Sequence, residues 1–376
     1  MSSSSRARHA RRRTRIAAAG AVTALVSASA LVASATGANA ATTANNSAAG
    51  IKLPSGFHAT VFAKGTGTMT GPDDIAEVDG RVFVGYQNGV GPNGEPSPTG
   101  NKNSTVVEYT PQGKVVGSWS LVGKADGLGA DPEHHRLIVT TNEDSNSSLT
   151  TITLKGDGKA VVKHYTYNAN PLPHGGGTDS VIVRDGVIYL SASNPSPDAN
   201  GTTFSGPALY TADLDGSTAV LKPVLKDNST ATDAVTGKTV TLNLSDPDSS
   251  EVVPHSVPRF GGDALLDSQG DSELIFLHHP DSRHQTATVL HLTTQVDDSA
   301  FATGSCETLL VVDNSLNEVL AVTGPFQRGE AFAAVPTDST VIPGNLATEN
   351  LKTGQVTAFG SGFGNPHGLL FVQHEG

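Results

Sequence analysis

From Ile51 onward, short runs of β-branched and other apolar residues alternate with polar positions along most of the chain. Glycine, aspartate, asparagine and proline separate these runs, and no segment keeps the 3.6-residue apolar period of an amphipathic helix. Short apolar runs bounded by turn residues are typical of an all-β domain. The pattern predicts one such domain over residues 51–376.

One strand-turn-strand unit recurs within this domain. The segment 73–84 (DDIAEVDGRVFV) matches the segment 179–190 (DSVIVRDGVIYL) position for position, and each has an Asp-Gly dipeptide between two apolar runs. Asp-Gly in this place predicts a two-residue hairpin turn. Four further copies, with longer turns or weaker patterns, are predicted to start at Asp126, Asp263, Asp298 and His367.

The six starts are irregularly spaced, and the spacing centres on the length of one four-stranded propeller blade. The longest interval contains a polar insertion at residues 227–251. We therefore predict a six-bladed β-propeller. Its ring would close by pairing the segment 58–63 with the C-terminal segment from His367 in one blade, because an open edge invites association. An open sandwich of two sheets is the alternative.

Residues 1–40 have the layout of a signal peptide. Six arginines precede a weakly apolar run at residues 16–32, and the small-residue sequence Ala38-Asn39-Ala40 follows as a cleavage site. A transmembrane anchor is the alternative interpretation of the apolar run. We predict cleavage before Ala41, secretion of the product, and a disordered linker over the polar residues 41–50.

The excess of acidic residues limits the kinds of partner that the chain can bind. The chain has 36 Asp and Glu against 24 Lys and Arg, and six of these basic residues lie in the predicted leader. Nucleic-acid binding rests on clustered Lys and Arg, so a nucleic-acid partner is not expected. We expect no stable membrane insertion, a monomer, and a small-molecule or glycan-type ligand. Only Cys306 is present, so no intrachain disulfide can form.

Two short motifs carry a resemblance to known propellers. The start Asp126-Gly127-Leu128, with Asp131 three residues later, resembles the six-bladed propellers of the gluconolactonase and senescence-marker-protein superfamily. Pro366-His367-Gly368-Leu369 is similar to unit starts in NHL-repeat and streptogramin-lyase-like propellers. The resemblance implies the architecture, but one scaffold hosts lactonases, lyases, condensing enzymes and binding modules.

In the lactonase branch, the resemblance implies a divalent metal held in the channel by one Glu, two Asn and one Asp at the inner-strand starts. Here the corresponding starts are Asp or His, so this ligand set is not reproduced intact. Six starts in one register would nevertheless converge at one end of a channel, where clustered carboxylates attract a cation. The predicted ligands of Ca²⁺ or another divalent cation are Asp73, Asp126, Asp179, Asp263 and Asp298.

These aspartates have a second interpretation, because Asp is also favoured where it caps turns at strand entries. Histidine supplies the candidate catalytic groups, as a general base at neutral pH. The candidates are His278, His255 and His367; of the neighbours His278 and His279, at most one can face the channel because successive strand residues face opposite sides.

Two functions follow from this architecture. The first is a secreted propeller that binds a small molecule or an extracellular partner through its channel and loop face. The second is a hydrolase, lactonase or lyase that uses a Ca²⁺-type metal to act on a small molecule in the channel.

Overall fold

The computed structural model describes Ala48, residues 50–155 and residues 159–373. The predicted signal peptide and most of the predicted linker lie outside these residues. The described chain is all-β, and its helical content is limited to two 3₁₀ turns, Pro132–His134 and Gln269–Asp271. Within the part that the structure describes, no helix has the length and apolar character needed to cross a membrane.

The strands are numbered in chain order. The first thirteen are β1 His58–Lys64, β2 Pro72–Val78, β3 Arg81–Tyr86, β4 Asn103–Tyr109, β5 Val115–Val122, β6 Ala125–Asp131, β7 Arg136–Thr141, β8 Ser148–Leu154, β9 Ala160–Tyr167, β10 Val181–Arg184, β11 Val187–Ser191, β12 Pro207–Asp215 and β13 Thr218–Lys226. The remaining thirteen are β14 Thr230–Asp233, β15 Thr239–Thr241, β16 Pro247–Val252, β17 Ala264–Ser268, β18 Glu273–His278, β19 Thr286–His291, β20 Asp298–Phe301, β21 Glu307–Asp313, β22 Glu318–Thr323, β23 Ala331–Val335, β24 Asn345–Asn350, β25 Gln355–Ala358 and β26 Pro366–Gln373.

These strands form five sheets. Three have four strands, in the orders β2-β3-β4-β5, β20-β23-β24-β25 and β1-β22-β21-β26. A six-stranded sheet has the order β15-β14-β19-β18-β17-β16, and an eight-stranded sheet has the order β10-β11-β12-β13-β9-β8-β7-β6. The eight-stranded sheet consists of two antiparallel four-stranded runs joined only by a short parallel pairing of β13 with β9.

The two predicted Asp-Gly hairpins are confirmed. Asp79 and Gly80 both have positive φ, at 53° and 71°, and join β2 to β3. Asp185 and Gly186 do the same between β10 and β11, with φ of 52° and 76°. Positive φ at both central residues defines the type I′ turn, whose twist matches that of the flanking strands.

The innermost strands of the sheets contact one another in a ring. In order around it, β2 contacts β6, β6 contacts β10, β10 contacts β16, β16 contacts β20, β20 contacts β26, and β26 returns to β2. Close approach of β6 to β10 requires glycine, because a Cβ atom at Gly127 or Gly129 would collide with the carbonyl oxygen of Asp179 or Val181. The arrangement is propeller-like.

The predicted fourth unit is wrong in its starting point. Asp263 precedes β17, which is the second strand of its sheet, whereas the innermost strand is β16. That strand lies in the segment that the sequence assigned to a polar surface insertion. The rest of the insertion forms the hairpin β14–β15, which extends the outer edge of the same sheet through β19. The segment 246–251 (DPDSSE) has few apolar residues, so its pattern does not predict a strand. In the ring, β16 lies between β10 and β20 and lines the cavity, where polar side chains are accommodated.

The predicted fifth unit is also wrong in its pairing. The sequence predicts that Asp298 leads into residues 309–313 as a hairpin, but β20 pairs with β23 instead. The hairpin β21–β22 belongs to the neighbouring sheet, between β26 and β1. After β20 the chain therefore forms β21 and β22, the middle strands of the neighbouring sheet, and then returns to the sheet of β20 with β23–β25.

The N-terminal and C-terminal segments lie in one sheet, as predicted, but they do not pair with each other. β1 forms one edge beside β22, and β26 forms the other edge beside β21. Ala48, which lies within the predicted linker, is buried and donates its N–H to the carbonyl oxygen of Ala59 at 3.2 Å.

Apolar layers between neighbouring four-stranded groups form the core. The layer between β20, β23, β24 and the sheet containing β1 and β26 includes Phe326, Phe332, Leu346 and Leu320, all almost fully buried. Alternation along each strand places one set of side chains on each such layer, so both faces of most strands are apolar.

Candidate functional site

A cavity of about 550 Å³ lies where the six innermost strands begin. In each case one polar residue near the strand start lines it. Asp73, Asp126, Asp248 and His367 are the second residues of β2, β6, β16 and β26, while Asp179 and Asp297 stand just before β10 and β20. A common register around the ring therefore brings residues far apart in sequence to one place.

The cavity is strongly acidic. It is lined by two basic side chains, Lys124 and His367, and by ten carboxyl side chains: Asp73, Asp74, Glu77, Asp126, Glu143, Asp179, Asp248, Glu251, Asp297 and Asp298. With so many more carboxyls than basic groups, the cavity can be neutral only if several carboxyls keep protons or a cation enters.

Lys124 balances part of this charge. Its Nζ atom lies 3.0 Å from Asp126 Oδ1 and also pairs with Glu143. Burial lowers the pKa of Lys124, but Asp126, Glu143 and Asp73 outweigh it and raise the pKa above its ordinary value. The ammonium group is therefore fixed in its charged form beside Asp126.

His367 is held between two carboxylates. Its Nδ1 atom lies 3.2 Å from Asp73 Oδ1 and 3.2 Å from Asp297 Oδ2, while its Nε2 atom lies 2.7 Å from Asn365 Nδ2. Burial lowers the pKa of His367, but Asp297 and Asp73 together raise it well above the ordinary value. Asp73 and Asp297 therefore flank the same ring nitrogen, and their negative charge favours the imidazolium form.

Asp179 and Asp248 form a carboxyl pair at the starts of the neighbouring innermost strands β10 and β16. Their side chains are hydrogen-bonded to each other, which requires a proton on one of them. Burial, and after it neighbouring negative charge, raises the pKa of each well above its usual range. The pair can therefore hold one proton at neutral pH and titrates as a unit.

Asp74 and Asp298 connect neighbouring innermost strands. Asp74 Oδ2 accepts the N–H of Leu128 at 2.6 Å, and Asp298 Oδ2 accepts the N–H of Leu369 at 2.7 Å. Hydroxyl groups make equivalent ties elsewhere: Ser191 Oγ donates to the carbonyl oxygen of Asp248 at 2.5 Å. The carboxylate of Asp298 is thus committed to the backbone on at least one oxygen.

The structure brings together four of the five predicted metal ligands and one of the three predicted histidines. Asp263 and His278 lie at the opposite end of the ring strands, because β17 runs antiparallel to β16 and begins beside its last residue. His278 Nδ1 lies 2.8 Å from Asp263 Oδ1, with the imidazole largely exposed. His255 is exposed in the loop before β17. None of these three lines the cavity.

Four residues that line the cavity were not predicted from the sequence: Asp248, Asp297, Lys124 and Glu143. A signal for the first was present, since Pro247-Asp248 repeats the pairs Pro72-Asp73 and Pro366-His367 that open two other innermost strands. At the fifth start, the sequence pattern predicted Asp298 as the ligand and not its neighbour Asp297. Lys124 and Glu143 come from loops, and nothing local indicates that they meet.

The expected metal site remains a prediction. Among residues 50–155 and 159–373, no three His, Cys, Asp or Glu side chains are grouped so that they could hold one metal ion. The observed features of the cavity are its negative charge and the proton shared by Asp179 and Asp248.

The fold and this site define a class: an all-β, propeller-like protein with an acidic central cavity. No family model matches the sequence, and no curated protein matches it. Similar solved structures include a periplasmic gluconolactonase of Pseudomonas aeruginosa, at 12% identity and a TM-score of 0.42, covering 80% of this chain and 88% of that one.

Two more are a streptogramin B lyase and a functionally unknown protein from Desulfotomaculum acetoxidans. The lyase is 13% identical, with a TM-score of 0.42 and coverage of 85% of this chain and 95% of that one. The Desulfotomaculum protein is 12% identical, with a TM-score of 0.42 and coverage of 86% and 99%. Structures of the kinds named in the predicted resemblance are thus among those similar to this chain. Identities this low carry no conclusion about activity.

Proposed function

We propose that this chain is an exported six-bladed propeller whose central cavity binds a small, positively charged molecule or ion. The six-blade count is supported by the ring of six innermost strands and by the weak junction that divides the eight-stranded sheet. Export is supported by the layout of residues 1–40. The binding function rests on one observation, the excess of ten carboxyl over two basic side chains around one cavity.

Size and charge together define the ligand class. A cavity of about 550 Å³ falls within the range of small-molecule sites, roughly 300–1,000 Å³. Acidic walls of low dielectric concentrate cations and repel anions. A protonated amine or Ca²⁺ would displace the proton shared by Asp179 and Asp248 and leave both carboxylates facing the ligand. Binding would then release a proton.

The first test is calorimetric titration of the purified chain with three probes: Ca²⁺, 1,4-diaminobutane and neutral glucose. We expect a cationic probe to bind and glucose not to bind. Because one proton leaves on binding, affinity for the cation should rise with pH near neutrality, and the measured heat should depend on the buffer's ionisation enthalpy. The double variant Asp179→Asn/Asp248→Asn should lose about tenfold or more in affinity, about 1.4 kcal/mol.

The matched control is Asp213→Asn, which removes a carboxylate from an exposed ion pair with Lys222. This variant should bind as the native chain does. Binding of glucose with no response to either cation would contradict the proposal, as would equal cation affinities for the native chain and the double variant.

A second candidate function, hydrolysis of a small lactone or ester, is favoured by the shared proton itself. Ionised Asp248 would take a proton from water as the water oxygen attacks the carbonyl carbon. Protonated Asp179 would give its proton to the alkoxide that leaves when the ester C–O bond breaks. One water is consumed, and the pair returns to its starting charge after one proton passes between its members.

The second test is release of acid from a panel of lactones and aryl esters. Under this candidate we expect turnover with a bell-shaped pH profile, reduced by about 10²-fold or more in either Asp179→Asn or Asp248→Asn. A His278→Gln control, at the other end of the ring strands, should keep full activity. Absence of turnover across the panel, with cation binding intact, would leave the binding function alone.

A further inference from the structure

A second polar site lies away from the cavity, inside the apolar layer between the sheet containing β16–β19 and the sheet containing β20 and β23–β25. Its members are Asp267, Ser299 and Glu349, which we call the interface pocket. Their exposed fractions are 1%, 1% and 7%. None of the three lines the central cavity.

Strand geometry places these three side chains on one layer. Asp267 shares a face of β17 with Leu265, Ser299 shares a face of β20 with Phe301, and Glu349 shares a face of β24 with Ala347, since residues two apart point the same way. Leu265, Phe301 and Ala347 all belong to the apolar layer between the two sheets. The three side chains therefore lie on the faces that form a largely apolar layer.

The hydrogen bonds of the pocket leave most of its acceptors unused. Ser299 Oγ donates to Glu349 Oε1 at 3.1 Å. Both carboxylate oxygens of Asp267, and Oε2 of Glu349, are buried and have no hydrogen-bond partner among the described residues. A buried carboxylate without a partner costs several kcal/mol, so a proton or a cation must neutralise these groups.

A shared proton does not account for the pocket. Two carboxyls that share a proton are hydrogen-bonded to each other, as Asp179 and Asp248 are in the cavity. Burial, and after it the charge of Glu349, raises the pKa of Asp267 well above its ordinary value, but the two side chains make no such bond. Asp297, Asp298 and Asp246 add further negative charge around Asp267.

We propose that the interface pocket binds one Ca²⁺ ion between the two sheets. Asp267, Glu349 and Ser299 offer five side-chain oxygens, and the two carboxylates match the charge of a divalent cation. Ca²⁺ takes six to eight oxygen ligands in irregular geometry, so carbonyl groups or water can complete the shell. Mg²⁺ demands near-octahedral geometry and keeps several waters, which suits an enclosed pocket poorly. Ca²⁺ here ties adjacent sheets together and is independent of the ligand in the central cavity.

Burial gives this site a signature that an open cavity lacks. We expect the chain, purified from medium containing Ca²⁺, to retain one Ca²⁺ through dialysis against EGTA at neutral pH. The ion should be lost only after unfolding and refolding in EGTA. Elemental analysis gives the stoichiometry, and thermal unfolding of the refolded chain with and without added Ca²⁺ gives the stabilisation. A chain that never contains Ca²⁺ and is not stabilised by it overturns the proposal.

Isosteric variants locate the ion. Asp267→Asn and Glu349→Gln should each retain no Ca²⁺ after EGTA dialysis and should show a Ca²⁺-induced rise in melting temperature reduced to near zero. Asp227→Asn is the matched control, because Asp227 is fully buried with both oxygens unpartnered but lies elsewhere. It should retain the ion, as should the cavity variant Asp179→Asn/Asp248→Asn.

The variants also separate a bound ion from a protonated pocket. If Asp267 and Glu349 are simply neutral acids, the amide variants should equal or exceed the native stability whether or not Ca²⁺ is present, and the native chain should hold no ion. That outcome overturns the proposal, and so does retention of Ca²⁺ by both pocket variants.

Discussion

In the presence of a chelator, the unfolding free energy of this protein is expected to fall as the pH rises from about 5 to about 8. Burial raises the pKa of Glu251 from its ordinary 4.5 to about 7, against the hydrogen bond from the N–H of Val252. Between these two values the folded protein keeps a proton that the unfolded chain has lost. The stabilisation is therefore complete below the unfolded pKa and is lost as the pH rises through about 7.

The size of this effect follows from the pKa difference. The rise in the pKa of Glu251 from 4.5 to about 7 corresponds to about 3 kcal/mol of unfolding free energy, at about 1.36 kcal/mol per pKa unit. Burial also raises the pKa of Asp74 and of Asp227 to about 7, so they act in the same direction. The measurement is denaturant unfolding at a series of pH values.

Glu251→Gln isolates one of these groups. The glutamine keeps an oxygen for the N–H of Val252, which now bonds Glu251 Oε1 at 2.7 Å, but cannot ionise. We expect this variant to be more stable than the native chain near pH 8 and to show a shallower pH dependence. Exposed Glu133→Gln serves as control and should leave the pH dependence unchanged. A native-like slope in Glu251→Gln would refute the assignment.

Phe332→Ala is expected to cost about 3–5 kcal/mol of unfolding free energy. Phe332 is fully buried at the centre of an aromatic cluster. The cluster lies in the layer between the sheet of β20 and β23–β25 and the sheet that contains the hairpin β21–β22. Its ring lies 5.4, 5.0 and 5.7 Å from the rings of Phe326, Phe359 and Phe371. Removing it leaves a cavity that the rigid sheets cannot fill by collapse.

Equilibrium unfolding in denaturant measures this loss, with Phe204→Ala as a control of the same chemistry. Phe204 is only partly buried in the loop before β12, so its replacement should cost clearly less. Equal losses for the two variants would show that the aromatic cluster does not stabilise the ring.

Local signals predicted the hairpins well because each depends on residues next to one another. Asp79-Gly80 and Asp185-Gly186 specify type I′ turns whatever surrounds them, since both central residues need positive φ. The segment 58–63, predicted as a strand, likewise lies in β1. These features required no knowledge of distant partners.

Pairing between sheets was predicted poorly where the chain crosses over. The sequence has apolar runs at both β21 and β23, and the structure pairs β20 with the more distant run, β23. Asp263 was preferred to Asp248 because residues 263–277 look like a unit start, whereas β16 carries serines that become acceptable only beside other innermost strands.

The sequence by itself determined the all-β class, the two tight turns and the acidic character of the channel, because strand period, turn chemistry and charge are local or summed properties. Tertiary structure decided which polar groups meet in the cavity: Asp179 with Asp248, and His367 with Asp73 and Asp297. Those encounters depend on ring closure and strand register, which place residues dozens of positions apart within a few ångströms. The pattern of residues along the chain does not give the distance in space between two such residues.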